Sequence, residues 1–429
     1  MNENLNAGFN VDDERRRRYR EMLDVYRGRQ WPGRAAGERR LTFNYAAAAV
    51  DKLSAYLMNG LAVRVAENTP AGQQAQNLLN RWSAANCLDR LDYETEVDTA
   101  VLGDGCYRLG WDEVTRSVRV TAPDVCGLEV AFGLDGVTPE MVRAGYRLSA
   151  EAAARAWGIK VASAEVEVTE SWTASHFEVS SGGLTAAAGD NPYGFIPFIV
   201  FPNLSRPKSP WGTSDLEPLM EAQRELNRAV SQLSRILELS GNPIAVLENV
   251  ESSSYIAVSP GAVWHLPEEA RAYLLDLLQG GGGQLHLNYI DLLFRVMHDL
   301  GEVPRAAFGG LGRDVSGVAL ELEMQPLLHR VWRKRLIRTG VYRRRAEMAL
   351  KLYARHLDLE LDEVTVEVNW PPVLPRDITA MVANEKTLVA AGLRSRKGAM
   401  TGLGIPDPEQ EFADWLEEEK AIKKQESQS

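Results

Sequence analysis

Two sets of basic side chains between residues 303 and 345 are of the type that contacts phosphate. The first lies in Val303-Pro304-Arg305-Ala306-Ala307-Phe308-Gly309-Gly310-Leu311-Gly312-Arg313-Asp314-Val315-Ser316-Gly317, where a proline and several glycines keep the backbone from being helical. Arg305 and Arg313 are its cations. The second set is Arg330, Arg333, Lys334, Arg335, Arg338, Arg343, Arg344 and Arg345, a run without an acid. At helical spacing these charges surround most of a helix, so DNA phosphates and salt-bridge partners are both open to them. Constellations for bond-breaking chemistry are missing: there is no H-E-x-x-H, no G-x-S-x-G, no Walker A and no nucleophile beside a paired base. The histidines, among them His265, His286, His298 and His329, are scattered singly and read as core or surface residues.

Two helices must hold the glycine-rich stretch. Leu285, Leu287, Tyr289, Ile290, Leu292, Leu293, Val296, Met297 and Leu300 give the first a wide apolar face that stops at Gly301. Val318, Leu320, Leu322, Leu327, Leu328, Val331 and Trp332 start the second. Further upstream, Ser214 with Glu217 predicts a capping box. It opens a helix on which Leu216, Leu219, Gln223, Leu226, Val230, Leu233 and Leu237 recur alternately three and four apart. That is a heptad seam, narrower than a globular core requires. It suits a helix packed between neighbours, either in a ring of identical subunits or in a long pair within one chain. After Gly241-Asn242-Pro243, strands are expected at 244–247, 255–258 and 262–265, followed by a flexible turn at Gly280 to Gly283 that lacks the lysine of a P-loop.

The remainder reads as α+β, mainly helical. The first ten residues look unstructured. Asp12, Asp13 and Glu14 then precede Arg15 to Arg18 and Arg20 in a helix with acids at its positive end, whose arginines bind phosphate or form a salt-bridged face. Helices follow at 44–61, at 73–85 behind a Thr69 cap, and at 88–102. Period-two alternation at 106–111 and 118–120 predicts a hairpin, with more strands at 126–132, 166–173 and 196–201 and a short helix at 149–157. A strand at 364–370 leads to prolines, helices at 377–391, 394–401 and 408–419, and a tail from Lys423 read as unstructured.

At 429 residues the chain is about three structural units or one elongated subunit. A net charge of -11 argues against a protein that coats nucleic acid over its whole surface, though not against one that handles DNA without holding it. Cys87, Cys106 and Cys126 show no paired spacing, so buried thiols are expected, with no disulfide, no zinc and synthesis in a reducing cytoplasm. The polar, arginine-rich opening predicts no signal peptide. No apolar run approaches the roughly 18 residues of a membrane span.

The order of elements, with Asn44-Tyr45, Gly103-Asp104-Gly105, Ser214-Asp215-Leu216-Glu217-Pro218-Leu219, Asn242-Pro243, Val315-Ser316-Gly317-Val318-Ala319-Leu320 and Ile405-Pro406-Asp407-Pro408-Glu409-Gln410-Glu411, resembles the portal proteins of tailed bacteriophages, in particular the SPP1 type of siphophage portal. The resemblance implies a wing at 1–203, a linker and first stem helix at 204–243 and a clip at 244–284. It continues with a second stem helix at 285–302, a tunnel loop at 303–317, a long wing helix and return strand at 318–370, and a crown with C-terminal tail at 371–429. It further implies a dodecameric ring at one capsid vertex of the virion, made in the host cytoplasm, through which double-stranded DNA passes without sequence preference. The implied partners are the terminase large subunit, a head-tail adaptor, and the major capsid and scaffolding proteins, with no membrane, cofactor, metal or enzymatic activity. The tunnel-loop residues would be Val303, Arg305, Phe308, Gly309, Gly310, Leu311, Gly312, Arg313 and Asp314, with Phe308 packed on a neighbouring loop. Leu219, Leu226, Val230, Leu233 and Leu237 would meet the next subunit along the stem, and Arg330, Arg333, Lys334, Arg335 and Arg338 would meet DNA or that subunit. A head-tail adaptor or other capsid protein, and a nuclease built on Asp and Glu pairs, remain as alternatives.

Overall fold

The chain enters as a long helix, α1 (Glu3–Tyr26), which starts well before the residues expected to begin it. The computed structural model describes residues 3–31, 33, 40–241, 245–249, 269–274, 282–309, 317–361, 364–374, 378–405 and 407–426, in two compact units, Met1–Trp370 and Pro371–Ser429. After α1 come α2 (Tyr45–Leu57), β1 (Ala62–Val65), α3 (Pro70–Asn86) and α4 (Leu88–Leu102). The Asn44 side chain caps α2 by accepting from the Ala47 N–H, and Thr69 caps α3 by accepting from the Gly72 N–H ahead of a first-turn proline. Helix α4 ends at Gly103, whose φ of 100° only glycine adopts without strain.

Two sheets follow. β2 (Asp104–Asp112) and β3 (Ser117–Thr121) form the expected hairpin, its turn held by Asp112 Oδ1, which accepts from the Val114 N–H at 2.9 Å. The second sheet is an antiparallel meander, β4 (Leu128–Phe132), β5 (Pro139–Ser149), β6 (Glu165–Thr173), β7 (His176–Ser181) and β8 (Leu184–Asp190), with α5 (Ala150–Trp157) between β5 and β6. β9 (Phe198–Pro202) then pairs with β2. The sheets are tied by Glu170 on β6, fully buried, which receives Arg108 Nε of β2 at 2.6 Å, the Tyr146 hydroxyl at 2.5 Å and Trp172 Nε1 at 2.9 Å. β5, β7 and β8 are strands the sequence reading left out.

Helix α6 (Met220–Gly241) packs along α7 (Gly282–Gly301), and between them lie β10 (Ala245–Glu248) and β11 (Arg271–Leu274), an antiparallel pair. The strands expected at 255–258 and 262–265 lie outside the described residues, whereas Gly282 and Gly283 open α7 rather than a turn. Helix α8 (Gly317–Leu357) is followed by β12 (Val366–Asn369), which pairs with β1. One core cluster joins α1, α2, α4, α6 and α7; another joins α3, β2, β3, β9, α8 and β12. Helix α4 supplies residues to both, and each large side chain buried there contributes about 1.5–3 kcal/mol.

On its other side α6 carries Gln223, Asn227 and Ser231, four residues apart. They accept the backbone N–H groups of Ala46 (2.9 Å), Phe43 (2.9 Å) and Leu41 (3.0 Å) in turn. The extended entry to α2 is thereby held to α6 without a strand partner.

The second unit contains α9 (Ile378–Ala390), α10 (Arg396–Leu403) and α11 (Pro408–Glu426), the last running past Lys423 into the expected tail. Arg394 Nη1 meets Glu385 Oε1 at 2.6 Å, and the Arg396 guanidinium lies 4.1 Å from the Trp415 ring centroid.

Candidate functional site

The basic run falls in the middle of α8, whose inward face follows from its spacing: Arg330, Lys334, Arg338 and Arg345 share a side and all four are buried. Opposite them stand acids far away in sequence. Asp215 accepts from Arg330 Nη2 at 2.9 Å and from Lys334 Nζ at 2.6 Å. Glu96 on α4 accepts from Lys334 Nζ at 3.1 Å and from Arg338 Nε at 2.7 Å. One helical turn earlier, Asp92 takes both terminal nitrogens of Arg345 and the hydroxyl of Tyr107. Arg338 also donates to the Pro202 and Asn203 carbonyls and to Asn203 Oδ1.

With the Lys334 and Arg338 side chains wholly excluded from solvent, such charges persist only because each is matched. Burial alone would raise the Asp215 carboxyl, but the Lys334 and Arg330 cations hold it well below the usual carboxylate range. Burial opposes the charge on Arg338, yet neighbouring Glu96 keeps it protonated above its ordinary range; Asp92 does the same for Arg345.

Because Asp215 binds its proton less readily folded than unfolded, its contribution to stability is complete above the unfolded carboxylate range, about pH 4. It is lost as pH falls through the depressed folded value. The urea midpoint of the native chain is therefore expected to drop further between pH 7 and pH 2.5 than that of an Asp215→Asn variant, which starts lower at pH 7. Equal drops would assign the acid sensitivity to other carboxylates.

The ionic cluster reaches the base of the glycine-rich connector. Arg330 Nη1 donates to the Gly301 carbonyl at 3.1 Å and lies 3.5 Å from Glu302 Oε1, which Arg333 Nη2 meets at 2.6 Å. Glu302 sits at φ 52°, a left-handed conformation that costs a non-glycine residue about 1–2 kcal/mol. Two arginines fix it there. Beyond it Val303 is buried, and its carbonyl accepts from His298 Nδ1 at 2.7 Å. A 3-10 turn, Arg305–Phe308, leaves Arg305 and Phe308 exposed and ends at Gly309, φ 83°. Gly310, Leu311, Gly312, Arg313 and Asp314 lie outside the described residues.

Behind Asp215 is a crowded junction. Asn203 Nδ2 donates to Asp215 Oδ1 at 2.9 Å, and Ser214 Oγ donates to the Val101 carbonyl at 2.5 Å while accepting from the Leu216 N–H at 3.1 Å. Asp104 accepts from the Tyr19 hydroxyl at 2.5 Å and the Gly212 N–H at 2.7 Å. The expected capping box does not form, because Ser214 is engaged with the end of α4 and Glu217 with Arg206 (2.8 Å); a 3-10 turn at Glu217–Leu219 precedes α6 instead.

Several expectations are corrected. Arg330, Lys334 and Arg338, expected to meet DNA or the next subunit, are buried in this chain with their charges matched inside it. Arg335 donates to the Leu57 carbonyl at 3.2 Å beside the Trp370 ring, and burial brings its guanidinium down to about 10. Arg333 alone of the five is exposed, and it holds Glu302. On the stem, Leu219 and Leu226 are buried within their own chain; Val230 and Leu233 are half-buried and Leu237 is 55 % exposed. The intrachain pairing of α6 with α7 accounts for the first half of that seam. Arg15, from the N-terminal run, is buried with its guanidinium 3.8 Å from the Trp211 ring centroid. Of the thiols expected to be buried, Cys87 is exposed, while burial, with Asp124 nearby, pushes Cys126 up to about 12. Asp92, Glu96, Asn203 and Asp215 are the partners of this basic face that the sequence reading missed. Among the described residues no group of three His, Cys, Asp or Glu is placed to hold a metal, and no helix is long and apolar enough to cross a membrane.

The family described as phage portal protein, SPP1 Gp6-like, matches over residues 166–425, more than half of the chain. No curated protein matches it. The matched span includes Asp215, α6, α7, the connector and α8; Asp92 and Glu96 precede it.

Proposed function

Since the chain belongs to the SPP1 Gp6-like family of phage portal proteins, we propose that copies of it form a dodecameric ring at one capsid vertex. Double-stranded DNA passes through that ring during packaging by a terminase and during ejection, and head-tail adaptors attach to the 244–284 module. Scaffolding and major capsid proteins surround it. The stretch 303–317 lines the bore, and work on the DNA comes from a separate ATPase.

Support comes from where the basic charge resides. Each phosphate neutralised steepens DNA affinity, so a conduit must present few free cations to its cargo. The acids of α4 and Asp215 neutralise four of the basic side chains of α8, and Glu302 takes Arg333. Arg305, exposed on the connector, has no carboxylate at ion-pair distance among the described residues.

Electron microscopy and native mass measurement test the assembly: rings of about a dozen copies with an axial hole are expected, whereas a monomer at every concentration and salt would end the proposal. Shortening the connector by residues 308–312 is expected to leave rings intact while cutting DNA packaging or retention severalfold. Normal packaging in that variant would remove the connector from the mechanism. The nuclease alternative predicts metal-dependent cleavage that disappears on substitution of a single carboxylate.

A further inference from the structure

We propose that the outward face of α8 is an interface for a second copy of this chain, with Leu322 seated in the apolar cavity beside the Arg305–Phe308 turn of that copy. The inference rests on the ring assembly above and adds which surfaces meet. The cavity encloses about 350 Å3 and is lined by Tyr45, Leu219, Phe294, Met297, Val303 and Phe308, with Arg305 at its edge. Lys52 Nζ lies 5.6 Å from the Phe308 ring centroid, so the aromatic wall has two cations beside it.

The occupant is argued from α8 itself. Leu322 is 67 % exposed, and Pro326, Trp332 and Leu336 are exposed on the same side of the helix, with His329 and Arg333 between them. Residues turn about 100° apart on a helix, so Leu322 points roughly 200° away from Met324 and 140° away from Leu327, both buried against the chain's own core. Leu322 therefore faces away from the side of α8 that its own core covers.

Charge selects the same pairing. Glu321 and Glu323 flank Leu322, both exposed and without a basic partner among the described residues. They carry the sign that Arg305 and Lys52 lack across the cavity. The cavity and this side of α8 are different patches of one chain, so the contact is head-to-tail and repeats from copy to copy.

Cysteine cross-linking and charge reversal test the seating. In a Cys87→Ser background, which removes the exposed native thiol, Leu322→Cys combined with Phe308→Cys is expected to give a ladder of linked multimers on a non-reducing gel. Each single variant should give dimers at most. Glu321→Arg with Glu323→Arg is expected to raise the concentration needed for assembly at least tenfold, as is Arg305→Glu; joining the three changes should restore it. Intact rings with no ladder and no effect of charge reversal would overturn this seating while leaving the ring standing. A wild-type chain that never assembles would overturn both.

Discussion

Replacing Glu96 with alanine is expected to cost about 3–5 kcal/mol of folding stability, because it strands Arg338 without a carboxylate in the interior and leaves Lys334 to share Asp215 with Arg330. Urea titration should register it as a large drop in midpoint without a change of slope. The contrast is Glu167→Ala, which removes the exposed partner of Arg147 and should leave the midpoint within error. Breaking a buried pair and replacing it are different experiments. A triple change of Glu96, Lys334 and Arg338 to apolar residues of similar size should recover most of the loss, since the desolvation cost disappears with the charges. A Glu96→Ala midpoint close to the native one would mean that the cluster is hydrated and adds little.

The second large effect is expected at Gly212. A Cβ there would sit 2.2 Å from the Gly103 carbonyl oxygen, 2.8 Å from the Asn203 nitrogen and 2.8 Å from Pro202 Cβ. Backbone, not a flexible side chain, blocks the space, so Gly212→Ala must separate the linker from the α4–β2 corner. A loss of about 3 kcal/mol is expected, at the upper end of overpacking costs. Because the same corner carries Asn203 and Asp215, the variant should also become more sensitive to acid. Hydrogen exchange would show it as lost protection at the amides of Gly212 and Asn203 before the sheets open. Unchanged protection would mean that the linker absorbs the methyl group elsewhere.

Elements with local causes were legible in the sequence. The β2–β3 hairpin, the Thr69 cap and the stop at Gly103 each depend on a few adjacent residues. The β7–β8 hairpin had a comparable signal, Ser181-Gly182-Gly183-Leu184, in which both glycines adopt positive φ as a two-residue turn requires. The alanine-rich second strand offered no alternation to go with it. Pairing at long range was the harder part. Asp92, Thr95, Glu96 and Thr99 share a face of α4 and read as a solvated stripe, while all four are buried. Nothing nearby in sequence indicates that a basic stripe more than two hundred residues later will cover them. Two stripes of opposite sign, each at helical spacing, were the available clue. The same limit applied to α6, where spacing marked a seam but could not say that α7 of the same chain would cover half of it.

At about 1.5 Å per residue, the 41 residues of α8 make a rod about 60 Å long. One end receives the connector and the middle is bolted to α4 and the corner behind it. Pro326 lies between that anchor and the connector end, where it removes one backbone hydrogen bond of the helix. A pull on the connector therefore meets two points in turn, the interrupted turn at the proline first and the matched charges behind it.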